Sequence, residues 1–297
     1  EVEIIVTPSG KRDNWVWKNI KKPDLHTGDN LRGDVTNPKK YKIKTNHYTN
    51  YQLNKNELVA YHQNPHLAYW MRYIRLQCPY EDKIFQRVWL DQTNINLPVL
   101  ALACFELPND RPIAFTYRDC HIWHALYNEL IDNKTYRLDS SRYMYQTPNK
   151  YFYEYTSFVE KENAIIVDLG GSGRRPLNFF GGPKKAPEII YLIRNKKATH
   201  AYIKTIITAW PGSSIEKHNC FDEGTIIDWN EHGPVRKEND HPPILVETQM
   251  AAKKIAVESI KHFKLFKHTT FLKKLIDQYK PDNFTHKNFE WEGNHQK

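Results

Sequence analysis

The stretch Ile165-Ile166-Val167-Asp168-Leu169-Gly170-Gly171-Ser172-Gly173 places an apolar, β-branched run directly before a cluster of glycines. The run predicts a buried strand, and the glycines predict a tight turn after it. A strand that leads into glycines also begins many nucleotide sites, because bare backbone can approach a phosphate there. The following Arg174-Arg175-Pro176 begins no amphipathic helix and supplies no Lys-Ser/Thr pair of a phosphate-binding loop. The sequence favours a glycine-rich turn between strands without a cofactor, and a cofactor loop is the alternative.

Short apolar runs bounded by turn signals recur on both sides of this stretch. Leu97–Leu107 is nearly continuously apolar, as is typical of a strand buried on both faces. Helical spacing predicts helices over His121–Ile131 and Thr269–Tyr279. The predicted strands are Ile84–Leu90, Leu97–Leu107, Ile113–Tyr117, Phe152–Phe158, Ala164–Leu169, Ile189–Ile193, Tyr202–Trp210 and Thr225–Trp229. Many short strands with few long helices predict a mainly β fold, with a jelly-roll or β-sandwich core.

The predicted organisation has one main domain. Residues 1–40 mix charge, glycine and proline and are interpreted as an extended N-terminal arm. Residues 41–265 form a single jelly-roll-like domain with helical insertions, and residues 266–297 form a C-terminal helix and tail. No apolar run approaches the roughly 18 residues of a membrane helix, so no membrane partner is expected.

Composition indicates association with an anionic partner or with other copies of the chain. The 43 Lys and Arg residues against 34 Asp and Glu residues give a net charge of +9. Such a charge suggests nucleic acid, although a well-solvated basic surface explains it equally well. Aromatic residues make up 13% of the chain, including 18 Tyr, and Tyr, Trp and Arg anchor protein–protein contacts. We therefore expect self-association and consider nucleic acid a less favoured partner.

No set of polar residues forms a convincing catalytic or metal site. His121 and His124 could ligate a metal on a helix with Glu106 or Asp119, but they lack the His-Glu-x-x-His arrangement. Asp24 invites comparison with nuclease carboxylates. Asp139-Ser140 and the scattered histidines complete no hydrolase triad. We expect no metal, no cofactor and no enzymatic activity.

The four cysteines, Cys78, Cys104, Cys120 and Cys220, contain no Cys-x-x-Cys pair. They are too few for a disulfide framework in a chain of this length. We expect most of them to be reduced and buried, and one of them could pair between chains.

Several of these segments occur in an order that resembles a viral protein family. Leu100–Phe105 leads into Pro108, which is followed by Arg111-Pro112, Phe115-Thr116-Tyr117 and His124-Ala125-Leu126. Asn163–Val167 runs into the glycine cluster and then Pro176-Leu177-Asn178. This order is similar to that of the polyhedrin/granulin occlusion-body matrix proteins of baculoviruses and their nudivirus relatives. Arg174 stands where that family has a cysteine beside its glycines, and Cys120 is out of register with the family's other cysteine.

The resemblance implies a jelly-roll core that trimerises and packs into crystals around virions in the infected host cell, in its nucleus. An interchain disulfide at Cys120 is part of this expectation. Such crystals dissolve in alkali, where lysines lose and tyrosines gain charge near pH 10. We expect pH-sensitive lattice contacts at Tyr143, Tyr145, Tyr151, Tyr153 and Tyr155. The alternative is a basic enzyme that acts on nucleic acid, such as a metal-dependent nuclease.

Overall fold

The computed structural model describes residues 11, 14–49, 51–194, 203–208, 213–276 and 284–289. The chain divides into two compact units, residues 1–54 and residues 55–297. About 49% of it is helical and 17% is strand, and its main sheet is parallel. The prediction of a mainly β jelly roll is therefore wrong, because a jelly roll is built from two antiparallel sheets. The first ten residues of the predicted arm lie outside the described residues.

Residues 1–54 are built around one pair of short parallel strands. Val16, Trp17 and Ile43 form the small core of this unit. The elements that the structure describes in this unit are, in chain order, α1 (Trp15–Asn19), β1 (Leu25–Gly28), a π-helical turn (Leu31–Thr36), α2 (Asn37–Lys40) and β2 (Lys44–His47).

The carboxylate of Asp34 is the polar centre of this unit, and the residue is only 2% exposed. Lys11 Nζ donates to it at 2.8 Å, the backbone N–H of Asn30 donates to it at 3.0 Å, and His26 Nε2 lies 3.0 Å away from it. Burial by itself would raise the pKa of Asp34, but the bonds from Lys11, His26 and Asn30 lower it to about 2. Gly28 leaves the room for this carboxyl group, since a Cβ there would lie 2.3 Å from Asp34 Cγ.

Residues 55–297 are built around five parallel strands. The described strands of this unit are β3 (Ile113–Tyr117), β4 (Thr135–Asp139), β5 (Ile165–Gly170), β6 (Ile189–Arg194) and β7 (Ile203–Thr208), with a separate antiparallel hairpin of β8 (Ile226–Asn230) and β9 (Gly233–Arg236). The spatial order of the main sheet is β4-β3-β5-β6-β7. β4 therefore lies on one side of β3, and β5, β6 and β7 follow one another on its other side.

Helices cover both faces of this sheet. Alternate residues of β5 show why: Ile165, Val167 and Leu169 pack into the larger core, while Ile166 packs into a second core on the other face. A strand buried on both faces is typical of parallel sheets. The described helices of this unit are α3 (Lys55–Tyr61), α4 (Pro65–Leu76), α5 (Lys83–Asp91), α6 (Leu97–Ala103), α7 (His121–Leu130), α8 (Arg142–Gln146), α9 (Lys150–Lys161), α10 (Arg174–Phe179), α11 (Ser213–Glu216), α12 (Pro243–Ile260), α13 (Thr269–Ile276) and α14 (Phe284–Asn288).

Three predicted strands are helices. The predicted strand Leu97–Leu107 contains α6 and a 3₁₀ turn, and all seven residues of α6 are buried. An apolar run of this length fits a buried helix as well as a buried strand, and Pro98 in the first turn favours the helix. Phe152–Phe158 lies in α9, where the side chain of Asn149 caps the first turn. Ile84–Leu90 lies in α5, which Asp82 caps in the same way.

The other predicted strands and helices are confirmed where the structure describes them. β3 has the predicted bounds, and β5 to β8 lie within one residue of the predicted strands or inside them. The predicted helices correspond to α7 and α13. Both ends of one predicted strand, Tyr202 and Trp210, and the end of one predicted helix, Tyr279, lie outside the described residues.

We expect Asp34→Asn to destabilise residues 1–54, because the part-buried Lys11 and His26 contacts lose their charged partner. The predicted loss is about 1–3 kcal/mol, measured as faster hydrogen exchange of residues 14–49 in the full chain. Because the pKa of Asp34 is lowered to about 2, its stabilising contribution is complete above about pH 4 and is lost as the pH falls toward 2. Equal exchange in Asp34→Asn and in the exposed control Asp24→Asn would contradict this.

Candidate functional site

The candidate site lies where the strand order of the main sheet reverses. The connections after β3 and β5 leave in opposite directions along the sheet, which opens a crevice outside the carboxyl ends of these two strands. Arg118, Asp119 and Cys120 follow β3, and the glycine cluster begins at the end of β5. We call this region the switch-point crevice. In parallel α/β sheets, ligands bind at such a crevice.

Three carboxyl groups from different elements influence one another at the crevice. Asp119 follows β3, Asp168 lies near the end of β5, and Glu216 ends α11. Burial, and then the charge of Asp119, raises the pKa of Asp168 to about 7. Burial, followed by the charges of Asp119 and Asp168, also raises the pKa of Glu216. Two carboxyl groups at this site therefore retain protons at a pH where an exposed carboxyl group has lost its own.

Arg118 holds the Asp119 carboxylate in place from a strained backbone position. Its φ of 118° lies in the region that side chains other than glycine rarely adopt. Arg118 Nε donates to Asp119 Oδ1 at 3.1 Å and Arg118 Nη1 donates to Thr225 Oγ1 at 2.7 Å. Strain of this kind persists only where the surroundings enforce it, and it is often found at functional sites.

The glycines after β5 fit closely against the neighbouring strands. A Cβ at Gly173, whose φ is 66°, would lie 1.9 Å from Ile203 Cδ1. A Cβ at Gly171 would lie 3.5 Å from Tyr191 Oη. Packing therefore requires glycine at position 173, whereas at Gly171 the backbone φ of 149° favours glycine. They form a loop between β5 and the short helix α10, which the sequence did not predict.

Two arginines and two acidic residues fix the segment beside the crevice to the end of β4. Arg137 Nε donates to Asp139 Oδ2 at 2.7 Å, and Arg236 Nη2 donates to Asp139 Oδ1 at 2.6 Å. Glu223 pairs with both arginines, at 2.8 Å from Arg236. The Arg137 guanidinium also lies 4.0 Å from the centre of the Tyr117 ring. This network joins the hairpin β8–β9 to the sheet.

Lys253 of α12 presents an amine close to the same end of the sheet. Its Nζ lies 3.3 Å from His121 Nδ1 and 5.9 Å from the centre of the Phe221 ring. Burial lowers the pKa of Lys253, and burial lowers the pKa of His121 well below its ordinary value. Among the residues that the structure describes, Lys253 has no carboxylate within salt-bridge distance. Sequence reasoning missed this residue, because only the packing of α12 against α7 brings it here.

The histidines and acids considered from the sequence do not assemble a metal site. His124 Nε2 lies 2.9 Å from Thr135 Oγ1, and its ring stacks on Phe115. Glu106 accepts a hydrogen bond from Thr269 Oγ1 and forms an ion pair with Lys267. In the part of the chain that is described, no three His, Cys, Asp or Glu side chains could hold a metal ion together.

The five tyrosines of the lattice hypothesis occupy different environments. Tyr143 and Tyr153 are 53% and 54% exposed. Tyr145 and Tyr155 belong to internal aromatic clusters, and burial raises the pKa of both phenols. Tyr151 is half-buried. The proposed lattice contacts stay a prediction.

Cys120 is buried beneath the crevice. Its Sγ lies 3.5 Å from Thr116 Oγ1 and 4.0 Å from Asp168 Oδ1. Burial, and then the charge of Asp168, raises the pKa of this thiol well above its ordinary value. In this structure the thiol is free and faces the interior.

No protein-family model matches the chain, and no curated protein matches it. The resemblance to occlusion-body proteins therefore stays a prediction. Among the described helices, none is long and apolar enough to cross a membrane.

We expect the stabilising contribution of Asp168 and Glu216 to residues 55–297 to be lost as the pH rises from about 4 to 8. The histidines His121, His124 and His241, whose pKa values burial lowers, act in the opposite sense below about pH 6.5. Asp168 and Glu216 have raised pKa values in the folded state, so they stabilise the fold only while they are protonated. The free energy of unfolding in urea of Asp168→Asn, taken relative to that of the wild type, should therefore increase as the pH rises across this range. An unchanged slope in this variant, matching the exposed control Asp110→Asn, would contradict the raised pKa.

Proposed function

We propose that residues 55–297 form an enzyme that cleaves or transfers a phosphate ester of a small molecule in the switch-point crevice. The observation that supports this most strongly is Asp168. Its carboxyl group has a pKa near 7 beside two further carboxyl groups, at the carboxyl end of a parallel sheet. Groups with such shifted pKa values in a crevice are typical of catalytic acids and bases.

The surrounding side chains fit the charge changes of such a reaction. A phosphate ester is an anion, and the Arg118 guanidinium and the Lys253 amine bring positive charge to this end of the sheet. Hydrogen-bond donors and cations fixed beforehand stabilise charge as it develops in the transition state. These two residues are therefore the proposed ligands of the phosphoryl oxygens.

The carboxyl groups supply the proton transfers in this proposal. As water attacks phosphorus and the bond to the leaving oxygen breaks, protonated Asp168 donates its proton to that oxygen. The Asp119 carboxylate accepts the proton that the attacking water loses. In a transfer reaction, an acceptor hydroxyl takes the place of water. Each such transfer contributes on the order of 10²- to 10⁴-fold in rate.

This proposal departs from the expectation that the protein is no enzyme. The occlusion-body hypothesis, with its trimer, its virions and its nuclear location, stays a separate prediction. It depended on a resemblance that implies a jelly roll, and the main sheet of the protein is parallel. The nuclease alternative shares phosphoester chemistry with the proposal, so one set of assays examines both.

The test is phosphate release by the purified full chain from p-nitrophenyl phosphate, sugar phosphates and nucleotides, with and without Mg²⁺. We expect turnover of at least one monoester. Asp168→Asn and Asp119→Asn should each lower kcat by about 100-fold or more, and Asp110→Asn, on an exposed turn, should leave it unchanged.

Two results would contradict the proposal. One is the absence of turnover with every monoester. Another is turnover that survives both substitutions. In the first case, cleavage of single-stranded DNA or RNA would support the nuclease alternative instead.

A further inference from the structure

Two neighbouring helices on residues 55–297 expose an unusual number of large apolar side chains. On α3 these are Leu58 (47% exposed), Val59 (44%) and Tyr61 (37%). On α4 they are Tyr69 (43%), Tyr73 (43%) and Leu76 (37%). The Tyr61 and Tyr69 rings lie 5.7 Å apart and join the two sets. We call these six side chains the α3–α4 face. Contiguous exposed apolar surface of this kind marks a contact with another surface.

The core does not explain this face. Leu67, Trp70, Met71 and Ile74 already form the buried side of α4. Tyr69, Tyr73 and Leu76 follow at spacings of four and three residues on the outer side of the same helix. Residues at these spacings share one face of a helix, so α4 has a second, solvent-facing apolar stripe.

The stripe continues into a basic segment after α12. The rings of Tyr73 and Phe263 lie 6.2 Å apart, on either side of a groove between α4 and the end of α12. Lys261, Lys264 and Lys267 are exposed nearby, and Phe266 is 46% exposed. Lys267 pairs with Glu106, whereas Lys261 and Lys264 form no ion pair with any residue that the structure describes.

We propose that the α3–α4 face and the adjoining basic segment dock on the surface of an anionic lipid bilayer. Tyrosines suit the membrane–water interface because the ring is apolar and the hydroxyl is polar. Lysines beside such a surface are attracted to anionic headgroups. The binding mode is that of a helix pair lying on a membrane, which requires no spanning segment.

Two other occupants fit less well. Single-stranded nucleic acid stacks on aromatic rings, but half of the six side chains are the aliphatic Leu58, Val59 and Leu76. A second copy of the chain, paired about a two-fold axis, would bring identical basic segments toward each other. Lys261 and Lys264 favour a partner of negative charge instead.

The test is sedimentation of the full chain with phosphatidylcholine vesicles that contain no or about 30% phosphatidylserine. We expect binding to the anionic vesicles that weakens as salt is added. The double substitution Lys261→Gln/Lys264→Gln should weaken it about 30-fold, at about 1 kcal/mol for each charge. Tyr69→Ser/Tyr73→Ser should weaken it by at least about tenfold.

Tyr143→Ser is the matched control, because it removes a tyrosine that is 53% exposed on α8. Its binding should equal that of the wild type. Circular dichroism of every variant checks that the fold is retained. The proposal is overturned if the wild type does not bind anionic vesicles, or if the control weakens binding as much as Tyr69→Ser/Tyr73→Ser does. It is also overturned if Tyr69→Ser/Tyr73→Ser leaves vesicle binding unchanged but abolishes dimerisation or RNA binding. The phosphatase activity of Tyr69→Ser/Tyr73→Ser in solution, which does not depend on this face, should stay unchanged.

Discussion

The parallel pairing of β3 with β5 is the constraint on which the candidate site depends. Ile113, Ala114 and Phe115 pair with Ile165, Ile166 and Val167. Because both strands run in the same direction, the residues that follow them emerge at the same end of the sheet. This pairing brings Asp119 close to Asp168, although they are far apart in the sequence. The same pairing requires helices on the faces of the sheet, so it also explains why the chain is rich in helices.

Burial then gives these residues their chemical character. An exposed carboxyl group would be ionised at neutral pH, and two exposed carboxylates would repel each other only weakly. At the end of β5, burial raises the pKa of Asp168 to about 7, and the charge of Asp119 adds to the effect. The strained Arg118 and the paired network of Arg137, Asp139, Glu223 and Arg236 show how much of the surrounding structure fixes the crevice.

The sequence predicted most strands of the main sheet but not the way in which they are arranged. The strands Ile113–Tyr117 and Ala164–Leu169 could be predicted, because in each of them β-branched and aromatic or other apolar residues end at clear turn signals. β4 was missed, because Thr135–Asp139 contains only two apolar residues, Tyr136 and Leu138. Phe152–Phe158 was interpreted as a strand, because its aromatic residues also suit a sheet. With one strand missed and three helices interpreted as strands, the alternation of strands and helices that indicates a parallel sheet was hidden.

The candidate site was harder to predict than the strands. Asp119 and the glycine cluster were each considered separately, and neither matched a known motif on its own. Only strand pairing connects them, and only the packing of α12 brings Lys253 to the same end of the sheet. Fourteen histidines and 34 acidic residues offer many chance pairs along the chain, so spacing could not select the few that meet in space.

A crystal of the protein soaked in tungstate, an electron-dense analogue of phosphate, tests the central claim most directly. We expect density for the anion outside the carboxyl ends of β3 and β5, within contact distance of Arg118 or Lys253. A phosphate-binding site at this place would be contradicted if tungstate bound at full occupancy elsewhere on the protein while the switch-point crevice stayed empty.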